Sequence, residues 1–334
     1  MGVGATMRLI LTTDVSTSRD LEESGRADIA IPLMSRFIWG ALPADAELAA
    51  IFAPRTTQSP GSHWLDYAFP LAKKKIGRDI GLIELCQCCE AVELWMETEP
   101  NGQLVLVWLL DYLHSHADAS IGSNLILCHV DADLGGVLPT DLVKWRFRSV
   151  RITSDHLETG SLAWKAYRAP TPQAWFNLLE KDLSVLPQLR RCVLELLDEL
   201  PGRATGLGAS EMRLLELISG GYWHPYDLRP LYKQRFQRRV FNESEVFALL
   251  EGLALAPQPA ISGLAEWPVK LEMDNHRGRS ERMRKSSLSL TELGRAILVK
   301  AEDFSRHNPI HRWWGGTELT KDQLWRWDPL VIAR

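Results

Sequence analysis

Over its first 150 residues the chain alternates short aliphatic runs with longer stretches of helical period, and few folds accept that order. MRLILTT is a strand-like run closed by Asp14, and TSRDLEESG has the composition of a helix that stops at Gly25. ADIAIPL is a second strand, after which a Pro-punctuated region to about residue 70 carries no periodic signal. Then IGRDIGLIELCQCC reads as helix, AVELWME as strand, NGQLVLVWLLDYLHSH as helix and SNLILCHVD as strand. Strands separated by helices of this length pair in parallel through right-handed crossovers, so residues 1–150 are expected to form a Rossmann-like α/β layer with about four or five strands.

From about residue 153 the pattern turns helical. TSDHLETGSLAWKAYRA opens on a cap candidate at Thr153 or Ser154, PTPQAWFNLLEKDL places prolines at a helix start, and LPQLRRCVLELLDEL repeats apolar residues at helical spacing. We read residues 151–205 as a helical connector ended by the glycine- and proline-rich PGRATGLG. Residues 206–302 follow the order of a winged helix: SEMRLLELISGG, PYDLRPLYKQRF and NESEVFALLEGLALA as three helices, then strand, long turn and strand, with Thr291 capping a last helix. The basic HRGRSERMRK falls where the wing would be.

Residues 303–334 form a tail that packs Trp313, Trp314, Trp325 and Trp327 around Gly315 and Gly316. So much apolar ring surface is badly placed on a solvated end, so the tail is expected to dock on the body and clamp it, with Arg326 and Asp328 making the polar contacts that fix it.

The tail motif, Trp-x-Gly-Gly-x-x-Leu followed by Trp-Arg-Trp-Asp, resembles the closing signature of the bacterial family called domain of unknown function 1835. The resemblance runs upstream through VELWMETEPNGQL (92–104), LAWKAYRAPTP (162–172), the block at 186–218 and LTELGRAIL (290–298). It implies an α/β front and a helical back, and no defined activity. Where the family pattern resembles Gly-Asp-Ser this chain has Thr13, Asp14 and Val15; where it resembles Leu-Trp-Phe-Glu-His-Asp it has Leu94, Trp95, Met96, Glu97, Thr98 and Glu99. Asp14, Glu97 and Gln103 match the pattern, while a histidine and an aspartate do not.

At 334 residues with 46% hydrophobic composition the chain can bury two cores. Its most apolar stretch, LVLVWLLDYL, is broken by Asp111 and no secretion signal opens it, so a cytoplasmic protein without a membrane span is expected. Five cysteines suit reduced thiols there; Cys86 and Cys89 have the spacing of half a zinc site, but with only Cys128 and His129 nearby they are read as apolar filling, and no metal is expected. No phosphate loop, metal-binding HExxH or nucleophile elbow occurs, and no cofactor is expected.

Two sets of residues could carry function. Ligands of open α/β sheets bind beyond the carboxyl ends of the strands, where Asp14, Glu97, Glu99, Asp131 and Asp133 are expected to stand; with Gln103 they are the candidates for acid–base chemistry, and Asp14, Glu97 and Asp131 for holding a divalent cation or a polar ligand. Exposed strand ends are also ordinarily acidic because such residues cap helices. The second set is cationic: Arg229, Lys233, Arg235, Arg238 and Arg239, and the wing residues Arg277, Arg279, Arg282, Arg284 and Lys285, which could meet nucleic acid phosphates. Against that, the expected recognition helix carries Glu243, Glu245 and Glu251 and no cation. A net charge of −4 also argues against a general polyanion binder. The leading expectation is a non-catalytic regulatory or adaptor protein with a protein or nucleic acid partner; the alternative is an enzyme built on the sheet-edge carboxylates.

Overall fold

The structure is a computed structural model and describes residues 7–55, 63–116, 124–130, 145, 147–228, 240–266, 276–328 and 331–333. The chain divides into two compact units. Unit 1 comprises Met1–Phe37, Leu42–Arg168 and Glu180–Arg190, and unit 2 comprises Ile38–Ala41, Ala169–Leu179 and Arg191–Arg334. The helical stretch 151–205 is therefore not a body of its own. Its apolar faces are shared out between the two cores, which the periodicity of one segment does not reveal.

Unit 1 is built on a five-stranded sheet in the order β2-β1-β3-β4-β5, formed by β1 (Arg8–Thr12), β2 (Ile29–Pro32), β3 (Ala91–Glu97), β4 (Leu125–Val130) and β5 (Ser149–Arg151). The first four are parallel, with Leu9 opposite both Ile29 and Val92, and Val92 opposite Leu125. β5 runs antiparallel to β4, pairing Leu127 with Val150. Leu9 to Thr12 and all of β2 are buried, as in parallel strands covered on both faces, which is why these runs are uniformly aliphatic. Between the strands lie α1 (Val15–Glu23), α2 (Asp45–Phe52), α3 (Pro70–Ile76), α4 (Leu82–Gln87), α5 (Pro100–His116) and, after β5, α6 (Ser154–Tyr167). The helix expected from Ile76 onward is shorter than its sequence pattern. Gly77 adopts the left-handed conformation that ends α3, and α4 starts afresh at Leu82.

Helix α5 is the centre of the unit. Every residue from Pro100 to Leu110 is buried, so the helix has no solvent face along that length. Trp108 stacks on Phe52 at 4.3 Å between ring centres and meets Phe37 edge-on at 5.1 Å. Trp164 of α6 lies 4.8 Å from Phe37, and the Tyr167 hydroxyl donates to the Phe37 carbonyl.

In unit 2, α7 (Gln173–Asn177) and α8 (Leu189–Leu197) precede α9 (Ala209–Ser219), α10 (Glu243–Ala254), β6 (Ile261–Ser262), α11 (His276–Arg284), β7 (Ser289–Leu290), α12 (Glu292–Leu298) and α13 (Phe304–His307). Leu214, Phe247, Leu250, Met283 and Ile297 share one core. β6 and β7 pair antiparallel, and Thr291 caps α12 by accepting from the Gly294 backbone N–H. One expectation is corrected. The basic stretch of the supposed wing is a helix, α11, anchored by buried Met283 and by Arg279 and Arg282, which reach across to Glu251 of α10. The helix α10 buries Glu245, Val246, Phe247, Leu249, Leu250 and Leu253, while Glu243, Ser244, Ala248, Glu251, Gly252 and Ala254 are partly or fully exposed.

The tail closes unit 2. β8 (Arg312–Trp314) and β9 (Thr317–Leu319) form a hairpin through Gly315 and Gly316, and β10 (Arg326–Asp328) pairs with β11 (Val331–Ala333). Gly315 has φ of 55°, the conformation a two-residue hairpin turn asks of its first central residue. Trp314 and Trp327 are buried; their indole N–H groups donate to the Leu196 carbonyl and the Asp198 carboxylate, both at 2.7 Å. Trp313 and Trp325 stay partly exposed. Arg326 binds the buried Asp303 at 2.9 Å, the Ser305 hydroxyl at 2.7 Å and the Gly202 carbonyl at 3.0 Å. Replacing Arg326 with alanine leaves buried Asp303 with its Ser305 contacts but no cation, and urea unfolding is expected to show a loss of about 2 kcal/mol, below the range for fully buried pairs because Arg326 is partly solvated. A loss within error of zero would show the tail to be loosely held.

Candidate functional site

The strand order reverses at β1. The chain places β2 on one side of it and then β3 on the other, which makes the gap beyond the carboxyl ends of β1 and β3 the switch point where open α/β sheets bind ligands. The register pairs Thr12 with Trp95, so Asp14 and Glu97 each stand two residues beyond the same rung. Asp131 and Asp133 lie outside the described residues.

Each edge residue with a described partner is tied to backbone or to its own turn. Asp14 is the N-cap of α1: one oxygen accepts from the Thr17 N–H and from the Ser16 hydroxyl, both at 2.6 Å. Gln103 is buried and donates to the Glu97 carbonyl at 2.8 Å. Gly102 presses on the same carbonyl, since a Cβ there would stand 2.7 Å from it. Asn101, which the sequence did not single out, accepts from the Phe37 N–H at 2.9 Å and donates to the Ser35 carbonyl at 3.0 Å. The strand end, the helix start and the loop beyond β2 are thereby held together. Thr12 and Thr13 at the end of β1 have buried hydroxyl oxygens that find no partner among the described residues.

The second set of candidates is divided by burial. Arg279 and Arg282 are buried against Glu251, at 3.1 and 3.5 Å, and Arg282 also donates to the Ala265 carbonyl. Arg277, Arg284 and Lys285 face solvent, with Lys285 bound to Glu281 at 2.9 Å. Glu245 is spent in the capping box of α10, so the acidity that counted against an anionic partner is largely internal. Arg229, Lys233, Arg235, Arg238 and Arg239 lie outside the described residues.

All five cysteines are free thiols, and only Cys88 is exposed. Burial raises the thiol pKa of Cys86 and Cys192, and of Cys89 to about 11. Cys128 is pushed to about 12 by burial and by Glu93, to which its S–H points at 3.7 Å. No group of three or more histidine, cysteine or acidic side chains able to hold a metal ion occurs among the described residues, and no described helix is long and apolar enough to cross a membrane. A thiol reagent such as Ellman's at pH 8 is expected to modify Cys88 alone at once and the other four only after denaturation. Two or more fast thiols in the native protein would contradict the burial.

Two histidines support turns in their neutral form. His63 accepts the Leu65 N–H on Nδ1 and therefore donates from Nε2 to the Ala53 carbonyl at 2.8 Å; His156 accepts the Thr153 N–H. Burial lowers both pKa values below the usual 6.5. The unfolded chain thus takes up protons first as pH falls. Their contribution to stability is full above pH 6.5 and is lost as pH drops through the depressed folded values. Denaturant titrations are expected to show stability level from pH 8 to 7 and declining below 6.5. His63→Gln and His156→Asn are expected to flatten that decline; an unchanged profile in the double variant would assign it elsewhere.

No protein-family model matches the chain, and no curated protein does.

Proposed function

We propose that the protein is a non-catalytic regulatory or adaptor protein. The observation that carries this reading is the employment of the sheet-edge polar groups: Asp14 caps a helix and Gln103 and Asn101 tie backbone, the roles of a scaffold and not of an acid–base pair. The blocks that resemble domain of unknown function 1835, which we propose as the chain's family, serve the same end. Residues 92–104 contain the β3 to α5 junction, and the closing block carries the buried Trp314 and Trp327.

For unit 2 we propose a winged-helix-like module that meets a protein. Supporting it are the order α9, a helical turn at residues 225–228, α10, and then β6 paired with β7, with α11 standing in place of the wing loop. Trp223, 56% exposed beside that turn, is the kind of side chain that anchors protein interfaces. Nucleic acid is left outside this reading, because two of the five cations in residues 277–285 are buried in ion pairs and the partly exposed side of α10 carries Glu243 and Glu251 and no cation.

Stability separates this reading from the enzymatic one without knowledge of a substrate. Catalytic carboxylates are commonly held at a cost to the fold, so removing one leaves stability unchanged or raised. A capping carboxylate behaves oppositely. Asp14→Ala is expected to lower the free energy of unfolding by about 1 kcal/mol, with Asp14→Asn retaining most of it. Equal or greater stability in Asp14→Ala would favour the enzyme.

A further inference from the structure

Unit 2 leaves two neighbouring aromatic side chains in water, Tyr222 at 39% exposure and Trp223 at 56%. They follow the end of α9, where Gly221 takes the left-handed conformation that turns the chain outward. Trp223 is nonetheless held in place. Its carbonyl accepts from the Leu288 N–H at 2.7 Å, and its ring meets the His224 ring edge-on at 5.8 Å. His224 stacks on Tyr226, which in turn meets Phe247 of the unit 2 core at 5.2 Å. An exposed ring fixed before a partner arrives loses little conformational freedom on binding, which suits it to anchor an interface.

The same loop lies along α11. The His224 ring is 3.4 Å from the Arg284 carbonyl, and the Tyr226 hydroxyl donates to the Ser280 carbonyl at 3.3 Å. Arg277, Glu281, Arg284 and Lys285 recur at helical spacing and are all exposed, so α11 and its exit present one charged stripe whose end adjoins the aromatic loop. Lys285 binds Glu281 at 2.9 Å, and that contact, with Arg277 and Arg284 at longer range, holds the Glu281 carboxyl below its ordinary value. Along the stripe three cations therefore share one acid. Two more exposed acids stand at its margins: Asp227 in the turn after Trp223, and Glu266 next to Ala265, which is hydrogen-bonded to Ser286 and Arg282.

We propose that Trp223 and the cationic stripe of α11 dock an acidic protein segment, with an apolar side chain of the partner covering the Trp223 ring and its carboxylates meeting Arg277 and Arg284. The proposal rests on the reading of unit 2 as a module that meets a protein, and adds the chemistry of the partner. An aromatic anchor beside excess positive charge selects for both features at once. A nucleic acid strand fits less well. Its phosphates follow one another without a gap, whereas Glu281 interrupts the stripe and Asp227 stands by the loop; carboxylates on a polypeptide can be spaced to skip both.

A short fluorescein-labelled peptide of glutamates around a central leucine pair tests the proposal, by anisotropy with the full-length protein at low salt. Binding is expected, and is expected to weaken as salt rises because the charged contacts are exposed. Trp223→Ala is expected to weaken it about tenfold, the scale of one aromatic anchor. Arg277→Ser combined with Arg284→Ser is expected to weaken it by a similar factor and to flatten the salt dependence. These three side chains are exposed, so urea unfolding of each variant is expected to stay close to that of the parent, which separates lost docking from lost structure. The same peptide with glutamine for glutamate, if it bound equally well through Trp223, would overturn the acidic partner while keeping a module that meets a protein. No binding of the acidic peptide, or binding indifferent to both sets of substitutions, would remove the site itself, leaving the Asp14 stability measurement to judge the adaptor reading separately. Single-stranded oligothymidylate bound more tightly than the peptide at equal salt, and lost in the same variants, would assign the surface to nucleic acid instead.

Discussion

A helix with no solvent face has to be covered on every side, and unit 1 is arranged around meeting that demand for α5. Its first eleven residues are all buried, and the polar ones among them, Asn101 and Gln103, are satisfied by backbone of the neighbouring loop and strand. A buried amide without partners would cost as much as several methyl groups gain, so the loop beyond β2 and the end of β3 cannot move independently of the helix start. At the far end the Ser161 hydroxyl of α6 donates to Asp111 at 2.7 Å, where α5 regains a polar surface. The aromatic cluster of Phe37, Phe52, Trp108 and Trp164 fills the side that the sheet does not cover.

The parts of this arrangement that the sequence makes legible are those whose periodicity is local. β1 to β4 and α5 follow the aliphatic runs closely, because strands buried on both faces need uninterrupted hydrophobic residues. β5, three residues with partial exposure, leaves no comparable signal. α11 was hidden by its charge: HRGRSERMR looks solvated until Glu251 is known to stand opposite two of its arginines. The same limit applies to the candidate site. Asp14 stands out as an acid closing a strand, and its capping role was one of the two open readings. Asn101 matters through partners more than sixty residues distant, and nothing in its own segment announces them.

Charge inside both units is handled by pairing. Glu93 on β3 receives the Trp95 indole N–H at 2.8 Å, faces Arg26 at 3.4 Å and accepts the Cys128 thiol. Arg26 in turn lies over the Trp95 ring at 5.5 Å. In unit 2, Glu199 accepts from both the backbone and the hydroxyl of Ser210, and Glu211 accepts from Gly208 and from Arg312. Such groups specify one arrangement more than they add net stability, because each would be penalised heavily in any register that separated it from its partner. The four buried cysteines stay inert for a related reason, since thiolate is not tolerated beside Glu93 or in the apolar interior.

The two units are threaded through one another along the chain. Unit 2 takes residues 38–41 and 169–179 from within the span that otherwise builds unit 1, and unit 1 takes 180–190 from beyond it. No single cut yields both units intact. During synthesis unit 1 has all its segments once residue 190 has emerged, while two short pieces belonging to unit 2 must wait for a partner that is not complete until the Trp-rich tail leaves the ribosome. The protein is therefore inherited, translated and lost as one object, and a frameshift or early stop anywhere in its second half withdraws the last strands from a core that other parts of the chain have already been committed to.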